Sequence, residues 1–482
     1  MKKLILNALI IGVTVLNLAS CSDDDSVTPT GGNNADINTF VWKGLNQWYY
    51  WQSNVPNLAD NIKSTDTYKN LIQNNTPENL FKNLLYQRGT ADRNSIIMSD
   101  YTVLENLFSG VSLSSGFEYG SVEIPGTNNL ILLVIYVESN TSVALAGVKR
   151  GDIITAINNT DITRDNMSTL MSNTTLSLTM ATMDGNNNFI YKGTVTVQNS
   201  ERQENPVLLS KVFEKNGKKV GYLVYNGFIT EFNDELNAVF ADFKTQGIND
   251  LVLDLRYNGG GDVETSSYLG SMITGQYNGS VYSELRTNAK IGEVYTYPLT
   301  NQMKVYNSSG QIGTEAINQL NLNRLFVIGT GNTASASELV INGLRGLGVE
   351  VVLVGTKTYG KDVASITLYD SESFYKVNVN PDHKYAMQPI VAKNYNGKGE
   401  SNYSNGFEPQ VAAADFPNGL RDIYQLGDVN EPMLNAALQY IDPAFISAKR
   451  KTASKSVPFN MVLFSKDLKN PFNKDMVIHP LQ

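Results

Sequence analysis

The stretch Leu251-Val-Leu-Asp-Leu-Arg-Tyr-Asn-Gly-Gly-Gly-Asp262 decides how the rest of the chain is read. Four of its first five residues are apolar, and so short a run ending in glycines reads as a buried strand. The three consecutive glycines let the backbone turn sharply, and they let another chain approach with no side chain between. Upstream, Val220 to Val224 form an apolar strand, and Leu236, Val239, Phe240 and Phe243 follow at helical spacing. Downstream, Leu325 to Ile328, a helix after Ser335, and Val351 to Val354 repeat the order strand, helix, strand. This alternation predicts an α/β layer with a largely parallel sheet, closed by a helix over Asp428 to Ile441.

Ahead of this unit the pattern changes twice. From Ile37 to about Gln87, Ile37, Val41, Leu45 and Trp48-Tyr49 recur every three to four residues, which predicts a small helical domain over 37–107. All three tryptophans (Trp42, Trp48 and Trp51) fall there. Such a cluster suits a helical core, with a sugar- or peptide-binding face as the alternative. From Phe108 to Gln198 short strands take over: Leu130 to Tyr136, Ile153-Ile154 and Leu176 to Thr182. Between them runs Ser142-Val-Ala-Leu-Ala-Gly-Val-Lys-Arg-Gly-Asp-Ile-Ile-Thr-Ala-Ile-Asn158. This string resembles the bacterial PDZ pattern. The resemblance implies a PDZ-like β domain over 108–200 that binds peptide C-termini by strand addition, with its carboxylate cradle near Leu113 to Phe117.

At 482 residues the chain suggests two to four units. The expected core spans 205–445, and the tail over 446–482 carries little pattern. A net charge of −8 with no Lys/Arg-rich run excludes nucleic acid as a partner. The single cysteine, Cys21, excludes an intramolecular disulfide and any Cys-based zinc site. Lys2 and Lys3 precede a mostly apolar run from Leu4 to Leu18, too short for a comfortable membrane span, and Leu18-Ala-Ser-Cys21 follows. That string resembles a bacterial lipobox. It implies a signal peptide over 1–20, a lipid on Cys21 that partners the chain with a membrane, and a flexible tether over 21–36. Ser22-Asp-Asp-Asp25 resembles the surface-export signal of some outer-membrane lipoproteins. The expected location is therefore the outer membrane, facing the periplasm or the cell surface.

Two further strings accompany the glycine turn: Gly331-Asn-Thr-Ala-Ser-Ala-Ser-Glu-Leu-Val340 and Val354-Gly-Thr-Lys-Thr-Tyr-Gly-Lys361. Taken singly, they read as a turn, a helix cap and a solvated lysine. Taken in order, the three resemble peptidase family S41 (tail-specific, C-terminal processing proteases). The resemblance implies an α/β protease core acting on protein or peptide substrates without metal or organic cofactor. It makes Ser335 the nucleophile and Lys361 its base, and Glu338 and Thr358 also match supporting positions. A serine needs a base within hydrogen-bond reach, and a lysine serves only when neutral, which burial can achieve. The N–H of Ala336 and that of Gly260, or of its neighbour in the run Gly259 to Gly261, would supply the oxyanion hole. The family's aspartate about eleven residues after the nucleophile is replaced by Gly346, and its glutamine four residues after the lysine by Ser365. Either Ser365 hydrogen-bonds Lys361 more weakly in its place or the site is organised differently, and His383 remains an alternative base. Asp254 and Arg256 read as a buried structural pair. A peptide-binding lipoprotein with a decayed site is the rival reading.

Overall fold

The computed structural model describes residues 34–184, 188–401, 403–445, 461–469 and 474–478. The expected signal segment and Cys21 lie outside the described residues. The first helix, Asn34–Trp48, starts inside the segment expected to be tether, with Asp36 complementing the partial positive charge of its first turn.

A six-stranded sheet forms the core, in the order Val207–Lys215, Lys218–Tyr225, Asp250–Asp254, Arg324–Gly329, Glu350–Gly355 and Val411–Ala412. Only the first pairing is antiparallel. Side chains alternate between its faces with period two. Leu251, Leu253, Leu325, Val327 and Leu353 pack with helices Asn233–Gln246, Val263–Thr274 and Ala336–Gly346. Tyr222, Val252, Phe326, Ile328 and Val354 pack on the other face with helix Pro432–Ile441. That closing helix begins four residues later than expected, at a proline preorganised for a first turn, and Glu431 caps it by accepting from the Leu434 N–H at 2.8 Å. Asp254 and Arg256 pair at 2.7 Å as expected. They belong to a larger buried set, because Arg256 also meets Glu431 and Asp415, each at 2.7 Å.

Three consecutive parallel strands deliver the three motif strings. The glycine run follows Asp250–Asp254, Ser335 follows Arg324–Gly329, and Lys361 follows Glu350–Gly355. All three loops leave carboxyl ends of neighbouring strands, where open α/β sheets bind ligands.

The N-terminal helices dock on this core. Asn288 Nδ2 donates to the carbonyls of Gln47 and Tyr49, and Arg93 Nη2 donates to Gly360 O at 2.5 Å, bracing the Lys361 loop. Trp42 and Trp48 are buried, and Trp42 Nε1 donates to Asn57 O. The aromatic cluster is thus largely core, and a sugar-binding face gains no support.

Residues 117–198 supply six strands of a seven-stranded sheet; the seventh, Met461–Phe464, pairs antiparallel with Phe117–Glu123 at its edge. The tail that carried no pattern therefore contributes to the fold. It forms this strand, a short helix at Ser465–Lys469, and a second strand, Met476–Val477, that runs between Gly261–Asp262 and Val363–Ser365.

Candidate active site

Asn258 holds the glycine loop in shape. Its Nδ2 donates to Tyr225 O, its Oδ1 accepts from the Gly260 N–H, and its carbonyl accepts from the Ala334 N–H and Ser337 Oγ. The glycine loop and the serine loop are therefore stitched together. Gly260 and Gly261 lie at φ +121° and +129°, conformations that residues with a Cβ rarely adopt. A methyl group on Gly260 would stand 2.7 Å from Ser335 Cβ and 3.0 Å from its Oγ. Gly259 is buried beside them.

Ser335 sits at the N-terminal end of helix Ala336–Gly346 with φ 63° and ψ −118°, a backbone state costing about 1–3 kcal/mol for a residue with a Cβ. The residue is buried, and its Oγ has no hydrogen-bond partner among the described residues. Ala336 is the first helical residue, a position whose N–H has no intrahelical acceptor.

One carboxylate joins the serine loop to the lysine loop. Glu338 Oε2 accepts from the N–H of Ser335 at 3.0 Å and of Lys361 at 2.8 Å. Its Oε1 accepts from the Gly360 N–H at 2.7 Å and from Thr358 Oγ1 at 2.5 Å. Burial pushes the Glu338 carboxyl up, and these four donors oppose that push. Thr358 in turn accepts from the Phe407 N–H.

Lys361 is 1 % exposed, and burial lowers its amine below the ordinary lysine range. Its Nζ does not bond Ser335. It pairs instead with Asp475 Oδ1, which opposes the lowering. The expected direct contact between hydroxyl and amine is thus replaced by an ion pair with a residue 114 positions away. Ser365 does not reach the lysine either: its Oγ donates to Met476 O and accepts from Gln388 Nε2, because strand pairing with the tail commits it. The Gly260 amide expected at the oxyanion hole is engaged by Asn258, while the neighbouring Gly261 N–H donates to Asp475 O at 2.9 Å. His383 is fully committed elsewhere. Its Nδ1 accepts from the Tyr385 N–H and its Nε2 meets Asp370 at 2.9 Å, which leaves no nitrogen for a serine.

The family model described as Peptidase family S41 matches residues 219–411, and that of the Peptidase S41 N-terminal domain matches residues 36–109. The chain belongs to peptidase family S41. A carboxyl-terminal-processing protease of Picosynechococcus sp. is 28% identical to this S41 chain over 214 residues. That match covers 41% of the chain and 46% of the relative, so under half of the relative's length is represented. A solved structure from Bacteroides fragilis, named for the S41 proteases, superposes with a TM-score of 0.65 at 26% identity. It covers 84% of this chain and 97% of that one. Family membership indicates a serine-type peptidase.

Proposed function

We propose that this S41 chain is an endopeptidase that cuts protein or peptide substrates by acyl transfer to Ser335, with Lys361 as general base. The observation that carries the reading is the Glu338 carboxylate, which holds the backbone of both residues at the ends of adjacent strands. Burial favours the neutral amine, which takes the hydroxyl proton as Ser335 attacks and returns it to the leaving amine. Water then hydrolyses the ester. The Ala336 N–H at the helix N-terminus would donate to the developing oxyanion, as would the Gly261 N–H once released by the Asp475 carbonyl, and Gly260 contributes room. General-base assistance of this kind is worth about 10²–10⁴ in rate. Ser335→Ala is expected to abolish hydrolysis of casein and labelled peptides without loss of fold. Full activity in that variant would end the proposal.

Around the site, the PDZ-like unit over 108–200 would capture peptide termini by strand addition. A lipid on Cys21 would hold the chain to the outer membrane, on its periplasmic or outer face. The rival reading, a peptide-binding lipoprotein without turnover, draws on one observation: Lys361 is held by Asp475 rather than by the serine. The same digestion assay separates the two.

A further inference from the structure

The strand Met476–Val477 fills a slot of defined geometry. It pairs parallel with Gly261–Asp262 on one side and with Ser365 on the other. The Ser365 carbonyl closes it further by accepting from the Ile478 N–H at 3.1 Å. Main-chain pairing of this kind is how an extended peptide is held by a sheet edge. The slot also meets the reactive groups. The Asp475 carbonyl accepts from the Gly261 N–H, and the point occupied by a methyl on Gly260 would be 2.8 Å from that carbonyl and 3.0 Å from Ser335 Oγ. The Asp475 side chain takes Lys361. Its second oxygen, Oδ2, is buried without a hydrogen-bond partner among the described residues. Lys361 and the Gly261 backbone donor are thus both engaged by one five-residue segment.

We propose that Lys474-Asp-Met-Val-Ile478 is a resident pseudosubstrate, and that the slot it fills is the site for extended peptides bearing consecutive apolar side chains. The proposal rests on the peptidase reading above for its consequence, but the slot itself stands on the pairing geometry. The apolar preference follows from what surrounds the segment. Met476, Val477 and Ile478 are all buried, and Val477 and Ile478 border a cavity of about 660 Å³ shared with Phe108, Phe228, Tyr369 and Tyr375. A charge at the fully buried Met476 position would lose its hydration, and the apolar rings on the cavity wall favour apolar side chains at the other two. The segment holds the slot through tethering. Linkage to the rest of the chain gives it an effective concentration on the order of millimolar, so a sequence binding in trans at about 0.1 mM occupies the slot roughly ten to one. Incoming substrate displaces it, which frees the Gly261 amide and Lys361 together.

Three variants test this. A chain ending at Lys469 keeps the edge strand and its short helix and removes the occupant; it is expected to hydrolyse labelled peptides about tenfold faster than the full chain. Asp475→Ala in the full chain releases Lys361 and is expected to raise the rate and to shift the pH–rate midpoint down, since the carboxylate holds the amine up. A fall in the Asp475→Ala rate would make Asp475 a positioning residue for Lys361 and overturn the proposal, whether or not the shortened chain folds. Third, a fluorescent peptide of sequence Lys474 to Ile478 is titrated into the shortened chain carrying Ser335→Ala. Saturable binding, lost when Met476, Val477 and Ile478 are replaced by aspartate in the peptide, supports the slot. Absence of binding to the folded, shortened chain contradicts it. If no variant hydrolyses anything while the peptide still binds, the peptidase reading fails and the slot survives.

Discussion

Replacing Glu338 with Gln probes the joint on which the site is built. The carboxylate offers two acceptor oxygens to four donors, two of them the backbone N–H groups of Ser335 and Lys361. An amide offers one oxygen and one NH₂ group. With the oxygen left between Ser335 and Lys361, the NH₂ faces the Gly360 N–H, and that buried donor is orphaned at a cost of about 1–3 kcal/mol. Thr358 can turn its lone pair to the new donor, but the two retained bonds fall from charge-assisted to neutral strength, losing about 1 kcal/mol each. The opposite orientation orphans two backbone donors and is worse. The sum is about 3–5 kcal/mol of stability, read as a shift in the urea midpoint at unchanged slope. Because the two weakened bonds set the spacing of nucleophile and base, a displacement of about 1 Å is expected to reduce kcat on the order of 10²-fold. Glu338→Gln within about 0.5 kcal/mol of wild type and with full kcat would refute the reasoning.

Other expectations follow from the same geometry. Ser335→Gly is expected to eliminate turnover yet raise stability by about 1 kcal/mol in a denaturant titration, because glycine relieves the positive φ. Gly260→Ala is expected to lose activity and at least about 2 kcal/mol, since its methyl meets Ser335 and the Asp475 carbonyl inside van der Waals contact. Lys361 is held below the ordinary lysine value, so the unfolded chain binds its proton more readily. Stability therefore rises with pH from that lowered value up to about 10.4, and Lys361→Met is expected to flatten this slope in melts taken across that window. Arg256→Met leaves Asp254, Glu431 and Asp415 without their shared cation and is expected to cost about 3–5 kcal/mol in the same titration.

The core was legible because its signals are local. Each strand ending in a motif string is a short apolar run, and period-two burial of residues such as Leu251 and Leu253 against Val252 follows directly from that run. Glu338 and Thr358 were readable as supports, although the fourfold acceptor role of Glu338 emerges only when two loops converge. Asp475 was not readable. The strand that follows it contains two residues, too few for any periodicity, and its partners Lys361 and Gly261 lie more than a hundred positions away. The same tail explains why Ser365 fails to reach Lys361: the backbone of Met476 claims its hydroxyl first. Gly260 and Gly261 were a single glycine run in the sequence, and only the Asn258 side chain, folding back on the Gly260 amide, separates their roles.

The central claim is that Ser335 becomes a nucleophile through an uncharged Lys361. It is tested most directly by trapping: the chain is incubated with a β-lactone or fluorophosphonate probe across a pH series, and the adduct is located by peptide mass spectrometry. One adduct is expected, on Ser335, with a rate of formation that rises with pH and collapses in Lys361→Arg. An adduct on another residue, or labelling of Ser335 at the same rate in Lys361→Arg, would contradict it.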